Sequence, residues 1–466
     1  MAAERGDLIM DFTLAGGARY LANGSLRLTD DGKMRLPRGP AVPHPALFRP
    51  PEGFTLSKRG DPTQSGVMTF TYTGTVSGAD VTIERELFLS MWDTRLICQR
   101  LTFTADRDCR LGFCAGVDPG GQDGCRLRGD ETALCLEQDL DNGSVAAAAA
   151  RFPFPVRDDR GDGSAACFVD LKAGEPMYLD IAGAVVTGPK SADPARAALE
   201  LTRRVPGWDW HLKTHRRLYG EKFGRTRVSV KNAPEIERAL DIARYRLICL
   251  APGDDDSFLK PGADAFDPGK EDYFLSGNSF PAMTFYLLNM PGAAERILRY
   301  WTLSALAAGD GAPLDRAAAI SGELTRCALI TGDTSIIRGG GAELIGKTAE
   351  RIFARYADAS ASPFPRAGAV LTAAADLNSR YGTCPEDHES ACRALAASWG
   401  TDPEPRISAE SPEDEAGKLY DDLVTRVLGL TVSGDGPDFT GEVPPGWGEV
   451  SLPLTVRGRT YRARLT

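Results

Sequence analysis

The first two hundred residues alternate apolar and polar positions, which is the pattern of half-buried β-strands. Residues 67–72 (VMTFTY) and 81–89 (VTIERELFL) show this alternation most clearly. Stretches rich in Gly, Asp and Pro, at 118–121 and 158–163, separate such runs and predict turns. Many short strands at this spacing predict a β-sandwich over residues 1–205.

The periodicity changes to that of α-helices after residue 205. Residues 206–232 are aromatic and basic, and they predict a linker. In 234–250 the apolar side chains recur every three or four residues and share one helix face. Further helices are predicted at about 279–290, 292–308, 316–331, 340–357, 389–399 and 412–428.

The C-terminal part returns to β-structure. Residues 401–417 are rich in Pro, Glu and Ser and predict a loop, and 418–466 predict a closing helix followed by a small β-piece. The predicted fold class is therefore multidomain α+β. It comprises an N-terminal sandwich, a linker helix, a helical domain over 233–400 and a small C-terminal sheet.

Composition narrows the functions that this fold could serve. The net charge of −10 is spread over 466 residues, which argues against a nucleic-acid partner. No run of eighteen apolar residues indicates a membrane span, and Glu4, Arg5 and Asp7 occupy positions where a signal peptide would be apolar. The ten cysteines form no C-x-x-C pair, and only four histidines are present. We therefore expect a cytoplasmic protein with reduced thiols, no metal and no cofactor, and we expect His211 and His215 on the surface.

Four parts of the chain resemble one enzyme family. They are 85–104, 272–280 with 291–300, 330–333 (ITGD) with 341–353, and the tail stretches 428–430, 443–447 and 456–459. The family is family 65 of the glycoside hydrolases, which includes maltose, kojibiose and trehalose phosphorylases. The resemblance implies a β-sandwich, a helical linker, a barrel of six α-helical hairpins and a small C-terminal sheet.

The helical part is short for such a barrel. Six hairpins need twelve helices, whereas residues 233–428 leave room for about six to eight of ordinary length. The resemblance therefore implies an open or incomplete barrel.

The resemblance also implies a catalytic acid. Residues 384–389 (CPEDHE) stand where the family has a Gly-Pro-Asp-Glu-Tyr-His stretch, so Asp387 or its neighbour Glu386 takes the place of the acid. His388 could tune the charge of these carboxyls. The alternative is that both carboxylates only stabilise the N-terminus of the next helix.

The substrate motif is altered. The family sequence His-Tyr-Phe-Trp-Asp-Thr-Glu aligns with 272–278, so Phe274 is kept while Ser276 and Asn278 replace acidic residues and Leu275 replaces the tryptophan. The resemblance implies that these positions face the sugar, with the uncharged side chains still able to form hydrogen bonds. The predicted substrate-binding residues are Lys270, Asp272, Phe274, Ser276, Asn278 and His388.

Two functions stay open at this point. The first is a divergent glycoside hydrolase or phosphorylase that cleaves an α-glycosidic bond with inversion. The second is a catalytically inactive descendant that binds a glycan or a protein. The expected partners are an oligosaccharide or glycoside, phosphate if the reaction is phosphorolysis, and a second copy of the chain in a homodimer. The family's Lys-Gln-Ala-Asp phosphate stretch does not occur in the sequence.

Overall fold

The structure, a computed structural model, forms two compact units. The β unit holds Gly16–Gly224 with Ile248–Phe258, and the helical unit holds Arg225–Leu247 and Leu259–Thr466 together with Met1–Ala15. No helix among the described residues is long and apolar enough to cross a membrane. The structure describes residues 21–23, 26–28, 33–35, 41–121, 124–140, 143–157, 161–251, 280–356, 366–381, 383, 389–399, 412–433 and 436–466.

The β unit is built from antiparallel sheets. Its strands are β1 Leu21–Ala22, β2 Arg27–Leu28, β3 Met34–Arg35, β4 Ala41–Val42, β5 His44–Arg49, β6 Thr55–Arg59, β7 Met68–Val76, β8 Ala79–Leu89, β9 Leu96–Ala105, β10 Cys109–Asp118, β11 Arg126–Asp130, β12 Ala133–Asp139, β13 Ser144–Arg151, β14 Ser164–Leu171 and β15 Met177–Pro189. The large sheet has the order β11-β12-β13-β15-β9-β8-β7-β6. A three-stranded sheet has the order β14-β10-β5, and β1 to β4 form a small sheet.

The large sheet and the three-stranded sheet enclose the core of the sandwich. Alternate residues of β8, including Val81, Ile83 and Leu87, are buried in that core. The two sheets meet where Phe103 of β9 lies 5.1 Å from Phe113 of β10, measured between ring centroids. The sandwich predicted from alternating positions is therefore confirmed.

Two helices cover the outer face of the large sheet. In α1, Pro194–Arg203, the small side chains of Ala195 and Ala198 pack on alanines of β13. In α2, Trp208–Arg225, Trp208 packs on Phe88 of β8. The sheet is thus buried on both faces along β8, β9 and β13.

The expectation that His211 and His215 lie on the surface is wrong. Both side chains are fully buried, with ring centroids 5.6 Å and 4.5 Å from the ring of Phe88. With Trp208 and Tyr219 they recur every three or four residues, so they form the buried stripe of α2. Burial lowers the pKa of His215 to about 4, and the neutral ring packs as an aromatic side chain.

The helical unit contains the helices α3 Pro234–Leu250, α4 Phe280–Asn289, α5 Pro291–Ala308, α6 Leu314–Thr331, α7 Ala342–Tyr356, α8 Ala367–Tyr381, α9 Glu389–Trp399 and α10 Pro412–Asp422. From α4 to α9, each helix packs on the next. Helix α10 packs on α4, and the π-helical turn Leu423–Val427 continues it. Gly332, with φ 75°, ends α6 because a left-handed residue closes the last turn.

Two small sheets complete the helical unit. Their strands are β16 Ser229–Val230, β17 Leu430–Ser433, β18 Gly436–Phe439, β19 Val450–Val456 and β20 Arg459–Leu465. One sheet has the order β16-β19-β20, and the other pairs β17 with β18. The predicted order of a sandwich, helices and a small C-terminal sheet is confirmed.

Candidate substrate site

The residues predicted for the site fall in two segments that lie outside the described residues. One segment ends directly before α4, and the other ends directly before α9. The structure therefore describes this region through the residues that border the two segments. The predicted residues outside the described part are Lys270, Asp272, Phe274, Ser276, Asn278, Glu386, Asp387 and His388.

Helices α8 and α9 hold both ends of the acid segment, 384–388. On one side, the hydroxyl of Thr383 donates a hydrogen bond to the carbonyl of Ala374, at 2.5 Å. On the other side, Asn378 Nδ2 donates to Glu389 Oε2 at 3.2 Å. Thr383 and Glu389, the described residues on either side of this segment, are therefore both tied to α8.

A group of polar side chains links α4, α6 and α10 inside the helical unit. Arg326 of α6 donates from Nη2 to the hydroxyl of Thr284 at 2.7 Å, and this hydroxyl donates to Asp421 Oδ1. Arg326 Nη1 also lies 3.6 Å from Glu323 Oε2, one helical turn away. We call Thr284, Glu323, Arg326 and Asp421 the polar cluster.

The polar cluster is connected to the start of α4, where the substrate motif ends. Arg366, directly before α8, places Nη1 3.8 Å from Glu323 Oε1. Its guanidinium lies 5.8 Å from the ring centroid of Phe280, the first residue of α4. Phe280 in turn packs on Trp301 at 4.8 Å between centroids. The polar cluster thus lies close to the point where residues 270–279 join the helix.

The polar cluster can bind and orient hydroxyl groups. The Glu323 side chain is only 5% exposed, and its burial is tolerated because two guanidinium groups lie beside it. Arg326 is 30% exposed, so its donors can reach a ligand. Charge-assisted hydrogen bonds in such a partly dry environment are stronger than those between neutral groups.

Sequence reasoning missed both the polar cluster and a neighbouring acid, Asp422. Burial raises the pKa of Asp422, while Arg426, whose Nε lies 3.0 Å from Oδ1, opposes the rise. A carboxyl with a raised pKa is a common feature of active sites and also of structural ion pairs. The signal available in the sequence was the spacing of charged residues within otherwise apolar helices, as for Glu323 and Arg326. Among the described residues, no group of three or more His, Cys, Asp or Glu side chains is arranged to hold a metal.

The sandwich, the packed helices and the small terminal sheets together have the fold of the glycoside hydrolase family 65 type. A solved structure with this fold is a presumptive kojibiose phosphorylase from human microbiome. The two structures superpose with a TM-score of 0.74 over 98% of this chain and 93% of that chain, with 11% sequence identity. At this identity the similarity shows the fold alone. No protein-family model matches the chain. No curated protein matches it either.

Proposed function

We propose that the chain is a divergent carbohydrate-active enzyme that cleaves an α-glycosidic bond with inversion. The observation that carries the proposal is the similarity in fold over 98% of the chain to a presumptive kojibiose phosphorylase. The buried polar cluster supports it, because sugar-binding sites need fixed hydrogen-bond partners for hydroxyl groups.

The proposed roles follow from the inverting mechanism. Asp387 or Glu386, which lie between α8 and α9 in the sequence, donates a proton to the leaving oxygen. A water molecule or a phosphate ion attacks from the opposite face of the sugar ring. Arg326 and Glu323 of the polar cluster bind hydroxyl groups of the sugar together with the proposed substrate-binding residues, which are Lys270, Asp272, Phe274, Ser276, Asn278 and His388.

The altered substrate motif favours a second candidate function, an inactive descendant that binds a glycan or a protein. Leu275 offers no hydrogen bond, and Ser276 and Asn278 carry no charge at positions where the family has acidic side chains. In this alternative the polar cluster stabilises the helical unit and takes no part in turnover.

The experiment is a screen of α-linked disaccharides, with and without phosphate, for release of free sugar or sugar phosphate. NMR spectroscopy of the first product formed reports its anomeric configuration. We expect turnover with inversion, and we expect it to fall at least about a hundredfold in the double variant Glu386→Gln, Asp387→Asn. Glu343→Gln, at an exposed carboxylate of α7, is the matched control and should keep full activity.

Three outcomes count against the proposal. Retention of configuration would exclude the inverting mechanism, and unchanged turnover in the double variant would remove both carboxyls from the mechanism. Absence of turnover for every α-linked substrate, combined with measurable binding of one of them, would establish the inactive descendant instead.

A further inference from the structure

Two tryptophan side chains are exposed side by side on the β unit. Trp92 lies in the loop between β8 and β9, and Trp210 lies in the first turn of α2. Their ring centroids are 5.3 Å apart and the ring planes meet at 83°, so the two indoles form an L-shaped corner. Trp92 is 50% exposed and Trp210 is 48% exposed, whereas tryptophan is on average a highly buried residue. We call this pair the tryptophan corner.

The structure beneath the tryptophan corner fixes its shape. The buried ring of His211 contacts both indoles edge-on, with centroids 5.7 Å and 6.0 Å away. His211 Nε2 lies 2.9 Å from the hydroxyl oxygen of Ser90. That oxygen also accepts hydrogen bonds from the backbone N–H of Trp92 at 3.0 Å and of Asp93 at 3.2 Å. Because these contacts hold the rings in place before binding, a ligand loses little affinity to their ordering.

Acidic residues adjoin both tryptophans in the sequence. Asp93 forms a two-point ion pair with Arg95, at 3.0 Å and 2.8 Å. Asp209, the neighbour of Trp210, is 90% exposed and lies 3.2 Å from Arg100 Nη1. Aromatic faces bordered by paired donors and acceptors suit a ligand that has both apolar C–H faces and hydroxyl groups.

Size and charge decide between the possible occupants. The exposed half of each indole offers roughly 100 Å² of surface to a ligand. A stable protein interface buries roughly 800 Å² on each partner, which is far more than the two rings provide. Stacked nucleobases would need a basic groove around the rings, whereas the chain has a net charge of −10. An acidic protein is likewise poorly suited to an anionic membrane surface. A pyranose ring fits the available area and needs no charge.

We propose that the tryptophan corner is a glycan-binding site that takes a neutral hexose ring of an oligosaccharide. The site lies in the β unit, whereas the proposed catalytic residues lie in the helical unit. It therefore stands whether or not the proposed function holds. One ring face stacks on the sugar, the second ring closes one side, and Asp93 accepts a hydrogen bond from a hydroxyl group.

The test measures binding of maltoheptaose and of cellohexaose to the full chain by calorimetry and by tryptophan fluorescence. We expect at least one of them to bind, with a Kd on the order of 1 mM. Trp92→Ala and Trp210→Ala should each weaken binding at least about tenfold. Trp92→Phe should recover part of the loss, because it restores an aromatic face. Thermal unfolding of each variant shows that the fold is retained, which is expected because both rings are half exposed.

Two further variants separate this site from others. Phe168→Ala removes an aromatic side chain that is 60% exposed on another sheet, and it should bind as the wild type does. The double variant Glu386→Gln, Asp387→Asn should also keep binding at the tryptophan corner. Failure of the wild type to bind either probe up to about 10 mM overturns the proposal. Equal sugar binding by Trp92→Ala and the wild type overturns it as well. The proposal also fails if the wild type binds lipid vesicles and does not bind sugar.

Discussion

Arg457 closes the C-terminal end of α6 by donating its backbone N–H to the carbonyl oxygen of Ile330, at 2.7 Å. Its Nε also lies 3.4 Å from the carbonyl oxygen of Leu329. Arg457 belongs to the turn between β19 and β20, whereas Ile330 opens the ITGD stretch. Two of the stretches that resemble family 65 are therefore in direct contact. The turn of the small sheet donates hydrogen bonds to carbonyl oxygens that have no partner within the helix end.

The helix end at Gly332 gives a prediction about stability. Gly332 has φ 75°, so Gly332→Ala introduces backbone strain, while the new Cβ would make only an ordinary contact with Cγ of Arg457, at 3.4 Å. We expect it to lower the free energy of unfolding by about 1–2 kcal/mol. Gly322→Ala in the same helix is the control, because its Cβ meets nothing within 4 Å and should stabilise by about 0.5–1 kcal/mol. Equal effects of the two variants in urea unfolding would contradict this interpretation of the helix end.

The buried His215 predicts a loss of stability in acid. Burial lowers its pKa in the folded protein to about 4 from the usual 6.5. The unfolded chain therefore binds the proton first, and stability falls as the pH drops from about 6.5 to about 4. The full loss from this residue is about 3 kcal/mol.

Urea unfolding at several pH values checks this prediction. His215→Phe keeps an aromatic ring against Phe88 but cannot bind a proton, so its stability should depend less on pH over that range. An identical pH dependence in the variant and the wild type would show that other groups control the acid transition.

The polar cluster predicts a defect in turnover when its geometry changes. Arg326→Lys keeps the charge, but a single ammonium cannot reach Thr284, Glu323 and Asp421 together. We expect kcat/KM for the substrate found in the screen to fall at least about tenfold. Arg299→Lys alters an exposed ion pair with Glu295 on α5 and should leave turnover unchanged. Normal kinetics in Arg326→Lys would assign the polar cluster a structural role only.

The thiols test the proposed reducing compartment. Burial raises the pKa of Cys135 and of Cys167 to about 12, so these thiols should not react in the native protein. After denaturation without reductant, all ten cysteines of the chain should titrate with a thiol reagent. A count below ten in freshly purified protein would indicate disulfides and would contradict the cytoplasmic placement.

Limited proteolysis tests the proposed domain limits, with a sandwich over 1–205 and a loop over 401–417. The first cuts should fall within 402–415, where Pro and Glu disfavour regular packing. Early cleavage within 233–357, with 402–415 intact, would require a different division of the chain.

The hydrophobic pattern predicted long, strongly periodic elements well and alanine-rich elements poorly. Helix α6 was predicted at about 316–331 and spans Leu314–Thr331. Helices α1 and α8 were not predicted. In α8, alanine supplies four of the six residues described as buried, which gives little apolar contrast between faces. In α1 the signal that was missed is a helix start, with Asp193 as the cap and Pro194 as the first residue.

The sequence indicates only the Glu323 and Arg326 pair of the polar cluster, because the remaining contacts join distant helices. Thr284 and Asp421 are 137 positions apart, and no local spacing relates them. The buried histidines of α2 were misjudged for a different reason. They were expected on the surface because no third metal ligand is visible beside them, although the three- and four-residue spacing of Trp208, His211, His215 and Tyr219 already indicated a buried stripe.

The alanine run of β13 bears on the order in which the β unit assembles during synthesis. Alanine has the highest intrinsic helix propensity and is depleted in strands, so residues 146–150 favour the wrong secondary structure when isolated. Hydrogen bonds from β12 on one side and β15 on the other impose the extended shape. Because β15 begins only at Met177, β13 cannot pair with it until that later segment has left the ribosome. We infer that β13 has no fixed secondary structure until then. β13 therefore needs β15 in place before its strand pairing is complete on both sides.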